Sequence, residues 1–338
     1  MDQSTSNTQS PNVTVIIVTL NRANCMMRCL TQLFDQERLP GQALQVIVVD
    51  ASADDKTRKI CDGFPDVVYL RNELGYGHMT AGRNIGLASA TGDIISFIDD
   101  DAFAHPGWLK FLTAAYSDAT IGAVGGRALN RQPNEETQGV DDVGKLKPDG
   151  TLSANFAANT GKIIEVDHMI GCNMSFRREV LTGMGGFRED CIGTEVGEET
   201  DCCMRVKRLG HRIVYTPFAV VDHLGAPQAR GNRFDVRYDY YHRRNNLIVR
   251  LRNFGICGMT FRYIAKLMIS LVLDFAKKIA AAFARLVAQT AGIIVGLVLG
   301  LWILIRHGKN PLREDPVKPT AELSTPPHNL LVSSEKVS

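Results

Sequence analysis

At 338 residues the chain is too long for one minimal domain and suits one large α/β unit with an appendage. A formal net charge of +2 removes any global argument for nucleic acid, and no nucleic-acid partner is expected. Eight cysteines, at 25, 29, 61, 172, 191, 202, 203 and 257, form neither a C-x-x-C pair nor a zinc spacing, which excludes a disulfide scaffold and implies reduced thiols inside the cell.

Residues 1–12 are polar, lack the charged-then-apolar order of a secretory leader, and are expected to be disordered. Residues 13–20 form an apolar, β-branched run that reads as a strand ending at Asn21-Arg22. A helix follows over 24–34, with Met26 or Met27, Leu30 and Leu33 at helical spacing and Pro40-Gly41 as the break. Residues 44–49 are a second strand ending on Asp50, and 67–70 a third. A helix over 80–90 precedes a fourth strand at 94–98, and a helix over 106–116 carries a proline at its start. Strands alternating with helices predict a mainly parallel sheet covered by helices, with Asn21, Asp50 and Asp99 to Asp101 gathered along one edge. Residues 130–167 are polar and turn-rich and read as a loop or hairpin excursion. Structure resumes over 169–176 with a short helix after it. A further helix opens at Gly197-Glu198-Glu199-Thr200-Asp201 and closes at Gly210, and strands follow over 212–215 and 219–221.

The run 94–98 stops on three consecutive aspartates, Asp99, Asp100 and Asp101. Carboxylates packed at a strand end repel one another unless a metal, a basic cluster or open water neutralises them. An acidic turn is the structural alternative. For Asp50 the alternative is an Asx-turn within Asp50-Ala51-Ser52-Ala53-Asp54. For Glu198, Glu199 and Asp201 it is the affinity of acids for a helix amino terminus.

Taken in order, the strand end at Thr19-Asn21-Arg22, Val49-Asp50-Ala51-Ser52, Ala81-Gly82-Arg83-Asn84-Ile85-Gly86, the aspartate triplet, Gly171-Cys172-Asn173-Met174-Ser175-Phe176-Arg177, Glu198-Glu199-Thr200-Asp201 and Val221-Asp222-His223 resemble glycosyltransferase family 2 over residues 13–255. The resemblance implies a GT-A fold and transfer of a sugar, hexosyltransferase-like, from a nucleotide-diphosphate donor. It makes Asp101 a metal ligand, with His223 as a further one, and leaves Asp99 and Asp100 to share the ribose contact. Asp50 would read the base, while Thr19, Asn21 and Arg83 match positions that contact the donor nucleotide. Glu199 stands where the family's Glu-Asp-x-Asp motif has its catalytic base, one methylene longer than the usual aspartate. Glu198 would orient the acceptor or the loop, and Asp201 would support the helix start or pair with Arg205. Oxygen ligands suit Mg2+ or Mn2+, with the imidazole favouring manganese slightly. Inversion of the anomeric centre follows from the single-displacement geometry that the resemblance implies.

The carboxyl-terminal third begins with Tyr238, Tyr240, Tyr241 and the Arg243-Arg244-Asn245-Asn246 run, leading into a helix with a basic face of Arg250 and Arg252. That segment would close the site over the diphosphate, face acidic headgroups or be a solvated helix face. Residues 261–275 and 279–305 are strongly apolar, and 286–305 carry no formal charge over twenty residues. Such a stretch either just spans a bilayer or lies in its interface with lysines snorkelling. The chain is therefore expected to divide into a disordered lead (1–12), a GT-A domain (13–255), a membrane-associated helical segment (256–308) and a disordered tail (309–338). Its expected setting is the cytoplasmic face of the cell (inner) membrane, with membrane lipids and a lipid-linked or polysaccharide acceptor as partners. Gln228-Ala229-Arg230-Gly231-Asn232-Arg233 is not the Gln-x-x-Arg-Trp motif of processive synthases, so one sugar per encounter is expected. A sugar nucleotidyltransferase would want a glycine-rich basic loop where Thr19-Leu20-Asn21-Arg22-Ala23 stands, and a non-catalytic membrane scaffold would have no use for intact acidic motifs.

Overall fold

The computed structural model describes residues 10–194, 196–225, 235–277 and 279–307, without the side chains of 274–284 and 307. The disorder expected for 1–9 and 309–338, and the segment 228–233, lie outside the described residues. Pro11 and Asn12, expected in the disordered lead, are instead held. The Pro11 carbonyl accepts from Gln42 Nε2, and Asn12 Oδ1 accepts from the Ala43 amide, both at 2.9 Å.

In chain order the elements are β1 (Val13–Thr19), α1 (Ala23–Phe34), β2 (Leu44–Asp50), α2 (Lys56–Cys61), β3 (Val67–Arg71), α3 (Met79–Ala88), β4 (Ile94–Ile98), β5 (Ala102–Ala104), α4 (Trp108–Ala114), β6 (Ile121–Leu129), β7 (Ile164–Glu165), β8 (Asn173–Arg177), α5 (Arg178–Gly183), α6 (Glu198–Arg208), β9 (Arg212–His223), α7 (Val236–Phe254), α8 (Gly258–Lys277) and α9 (Ile279–His307). The strands form one sheet in the order β3-β2-β1-β4-β8-β6-β9-β5, with β7 paired to β9. The half made of β3, β2, β1 and β4 is parallel, as the alternation of strands and helices predicts. Beyond it β8 lies antiparallel between β4 and β6, β9 runs parallel to β6, and β5 closes antiparallel on β9.

The apolar runs of β1, β2 and β4 are buried on both faces because helices cover both. Val13, Val15 and Ile17 pack with Met26, Leu30 and Leu33 of α1 on one face, while Ile16, Ile47 and Phe97 meet Phe176 and Phe187 on the other.

Several elements differ from the sequence reading, each for a local reason. The helix expected over 106–116 starts at Trp108, because Gly107 ahead of it sits at φ +79°. The two strands expected over 212–221 are one, β9, whose register against β6 slips between Gly126 and Arg127. That irregularity accommodates Pro217, which cannot donate to a ladder. β6 itself is hidden in the sequence by Gly122, Gly125 and Gly126. A Cβ on Gly126 would collide with the Asn173 side chain and the Ala219 carbonyl, so the glycines serve close packing rather than a turn. The excursion over 130–167 contributes to the core through Val143, Phe156, Ala158 and Val166.

The basic face expected on α7 is neither solvated nor free for headgroups. Arg244, Arg250 and Arg252 are buried, bonded respectively to the Asp190 carbonyl (3.0 Å), the Gly150 carbonyl (2.7 Å) and the Asp190 carboxylate. α7 also packs with α8 and α9 around Leu247, Leu251, Tyr263, Leu267, Leu271 and Ile293, a small core of its own.

Candidate active site

Three strand ends meet at one edge of the sheet. The parallel register sets Thr19 opposite Asp50, and β4 runs alongside β1 to deliver the aspartate triplet beside them. β5 then pairs with β9 so that Ala102 faces His223, which brings a histidine from far along the chain to the triplet.

The structure gives Asp99 and Asp100 different partners. Asp100 turns back into the strand ends: Thr19 Oγ1 donates to its Oδ2 at 2.6 Å and Arg22 Nη1 lies 2.9 Å from its Oδ1. Arg22 also reaches Asp101 Oδ2, at 3.2 Å. Asp99, Asp101 and His223 each offer a ligand atom within 4.8 Å of the others, with His223 Nε2 3.5 Å from Asp101 Oδ1 and 3.9 Å from Asp99 Oδ2. Two carboxylates and one imidazole in this arrangement can hold a divalent metal ion.

The electrostatics fit such an ion. Burial pushes the Asp99 and Asp100 carboxyls up, the latter to about 6, and neighbouring Asp101 adds to the effect against the pull of Arg83 and Arg22. Burial disfavours a charged His223, yet Asp101, the Cys172 thiol and Asp99 outweigh it and push the imidazole up to about 11. The carboxylates thus attract positive charge beyond what Arg22 and Arg83 supply.

A second acidic group lies at the start of α6, after Gly197 in the left-handed region at φ +102°. Glu198 is buried and paired with Arg83, whose Nη2 is also 3.8 Å from Asp99 Oδ1. Arg83 therefore links the Asp99, Asp101 and His223 cluster to the acid pair, packed over the rings of Phe97 and Phe187. Its helix is held tightly on the sheet, since a Cβ on Gly86 would come within 2.5 Å of Ile16 Cγ2. Glu199 is half-buried and its Oε2 accepts from the Gly197 amide at 3.3 Å. Burial, then the adjacent Glu198, pushes the Glu199 carboxyl well above the usual carboxylate range.

Asp201 makes the expected pairing with Arg205, together with two further arginines. It is buried among Arg188 (3.2 Å), Arg252 (3.7 Å) and Arg205 (3.9 Å) and accepts from Asn253 Nδ2 at 2.8 Å. Facing three guanidinium groups, it holds α6 against α7. Asp50 makes the Asx-turn, accepting from the Ser52 amide at 2.8 Å, and its other oxygen accepts from the Tyr69 hydroxyl at 2.9 Å. Asn21 enters through its backbone, at φ +56°, with its amide donating to Ser52 Oγ at 2.7 Å.

Beside the triplet opens a cleft lined by Thr19, Arg22, Asp100, Tyr76, His78 and Arg237, among others. Tyr76 and Arg237 meet across it, the guanidinium 4.6 Å from the ring centroid. Arg83 and Asp50, expected to contact a nucleotide, are not among the cleft's lining residues; their partners are Glu198 and Asp99 for the one, Ser52 and Tyr69 for the other. The sequence reading did not assign roles to Arg22, Tyr76 or Arg237. Arg22 carried a visible signal, a cation at the strand end facing three acids, whereas Tyr76 and Arg237 lie 161 positions apart and only the fold joins them.

The profile of the family described as Glycosyl transferase family 2 matches residues 14–184. A pre-mycofactocin glycosyltransferase of Mycobacterium tuberculosis is 30% identical over 226 residues, covering 65% of this chain and 44% of the relative, so the chain spans less than half the length of that protein. The O-antigen chain rhamnosyltransferase WbaN of Salmonella anatum is 27% identical over 219 residues, covering 63% of this chain and 66% of its own. Among solved structures, the mannosyltransferase PcManGT of Pyrobaculum calidifontis, in complex with GDP-Man and Mn2+, aligns with a TM-score of 0.53 at 19% identity, over 87% of this chain and 88% of its own. TarS of S. aureus in complex with UDP-GlcNAc aligns with a TM-score of 0.57 at 16% identity, over 86% and 80%. At these identities the structural likeness establishes the GT-A fold.

Proposed function

Because the chain belongs to glycosyl transferase family 2, we propose that it moves one sugar from a nucleotide-diphosphate donor to a lipid-linked or polysaccharide acceptor, with inversion, at the cytoplasmic face of the inner membrane. The observation that carries this reading is the close approach of two acidic groups with different surroundings. One is the Asp99, Asp101 and His223 cluster beside the cleft; the other is the Glu198 and Glu199 pair, joined to it through Arg83. Relatives and structural neighbours named for sugar transfer, or solved with GDP-Man, UDP-GlcNAc and Mn2+, support the donor class.

In this account Asp99, Asp101 and His223 hold Mg2+ or Mn2+, which when bound neutralises charge developing on the departing diphosphate. Thr19 and Arg22 orient Asp100 at the donor side of the cleft, and Arg22 adds a cation there. Asp50 and Asn21 shape the turn at the base-binding end. Glu199 takes the proton from the acceptor hydroxyl as that oxygen attacks the anomeric carbon from the face opposite the diphosphate. Its raised proton affinity suits a base that must bind a proton during the step. Glu198, held by Arg83, fixes the loop from which Glu199 acts. The division into a catalytic domain (13–255) and a membrane-associated segment (256–308) belongs to the same proposal.

A panel of nucleotide sugars, incubated with Mn2+ and short lipid-diphosphate or oligosaccharide acceptors, tests it by NMR of the product. The proposal expects a glycoside whose anomeric configuration is opposite to the donor's. A product that retains the donor configuration, or transfer undiminished by a chelator, contradicts it.

A further inference from the structure

α9 contains one segment, Arg285–Arg306, that is long and apolar enough to cross a membrane. At 1.5 Å per residue its 22 residues reach about 33 Å, enough for a hydrocarbon core of about 30 Å. Its packing points another way. A Cβ on Gly292 would lie 2.6 Å from the Tyr240 carbonyl oxygen, one on Gly296 3.1 Å from the Arg244 carbonyl oxygen, and one on Gly300 2.5 Å from Leu251 Cδ1. This stripe of small residues holds α9 backbone to backbone along α7, both helices running in the same direction. α7 in turn is fastened to the catalytic body through the buried Arg244, Arg250 and Arg252. A spanning α9 would have to draw those arginines into hydrocarbon or abandon its glycine face to lipid.

The opposite side of α9 is bare. Ile294, Val298, Trp302 and Ile305 recur at helical spacing and are exposed, Ile305 at 83%, and Ile269 and Val272 of the neighbouring α8 are exposed likewise. Between residues 258 and 307 the chain has six lysines and arginines against one acid, Asp274; Lys266 pairs with Asp149 and Arg285 with Asp239, and the remainder leave the segment positive. Arg306 stacks on Trp302 at 4.9 Å, an aromatic and a cation together at the end of the apolar stripe. A symmetric contact with a second copy would set these like charges against each other. An anionic bilayer surface accepts both the stripe and the charge.

We infer that α8 and α9 lie in the plane of one leaflet, apolar face down, and that α9 does not cross the membrane. The inference rests on the membrane-face reading above and makes it specific: the catalytic body sits on the bilayer at a height fixed by α7. Because Asp235 and Tyr238, at the start of α7, also line the cleft, the donor site opens next to that surface.

The test uses the full purified chain carrying a carboxyl-terminal epitope and sealed vesicles of phosphatidylglycerol and phosphatidylcholine. The inference expects flotation with the vesicles and complete digestion of the epitope by protease added outside. It also expects about a tenfold or greater loss of vesicle partitioning in Val298→Glu and in Ile305→Glu, with unchanged melting temperature. An epitope protected inside the vesicles would overturn it. So would a substitution that dissolves an oligomer in light scattering while the wild type fails to float. Metal-dependent binding of a nucleotide sugar, measured in the same samples, reports on the sugar-transfer reading separately, since neither substitution touches the cleft.

Discussion

At the scale of single residues, Glu198 and Glu199 are neighbours in sequence with different surroundings. Glu198 is buried and neutralised by Arg83, while Glu199 is half-buried and has no guanidinium as close. Glu199→Gln is therefore expected to lower kcat by about 10²–10⁴-fold while leaving donor affinity in place, measured by steady-state transfer and direct titration. The limb of the kcat/KM profile on the acid side should lie above the ordinary glutamate range, because the base must be ionised to act. Glu198→Gln removes the neighbouring negative charge that helps hold the Glu199 carboxyl up, and should move the limb toward lower pH. The stability consequence has a definite sign. A carboxyl whose folded value is raised contributes stability below its unfolded value, about 4.3, and loses it as pH rises through the folded one. Unfolding midpoints of Glu199→Gln should accordingly exceed those of the wild type at neutral pH, with the gap closing in acid. That Asp101 stands beside His223 was expected from the resemblance, whereas the placing of Asp99 rather than Asp100 with them was not legible, since these two identical side chains differ only through the contacts of Asp100 with Thr19 and Arg22.

At the scale of elements, the amino-terminal half was readable apart from the short α2 and β5, because its strands are buried on both faces and its longer helices carry regular apolar spacing. β6 and β9 were obscured by glycines and by Pro217, residues that report close packing and a register slip rather than strand propensity. For Asp201 the partner Arg205, four residues on in the same helix, was legible, whereas Arg188 and Arg252 come from separate segments that only the fold brings to it. Although burial raises the cost of its charge, those arginines hold the Asp201 carboxyl below the usual range. Asp201→Asn should cost about 3–5 kcal/mol in denaturant unfolding, since it leaves buried guanidinium groups uncompensated. Nucleotide binding to the folded fraction should survive, which separates Asp201 from the Glu198 and Glu199 pair and its proposed role.

At the scale of the whole molecule, one sheet carries the cleft at the ends of its parallel strands, and a helical bundle anchors α9 beside it. The cluster of Asp99, Asp101 and His223 forms because β9 returns His223 to a triplet more than a hundred residues earlier. Calorimetric titration of UDP and GDP, with and without Mn2+, into wild type, Asp101→Asn and Glu199→Gln tests the central claim most directly. The account predicts binding that requires Mn2+ in the wild type, is lost in Asp101→Asn and is retained in Glu199→Gln. Binding without metal, or equal loss in both variants, would contradict it.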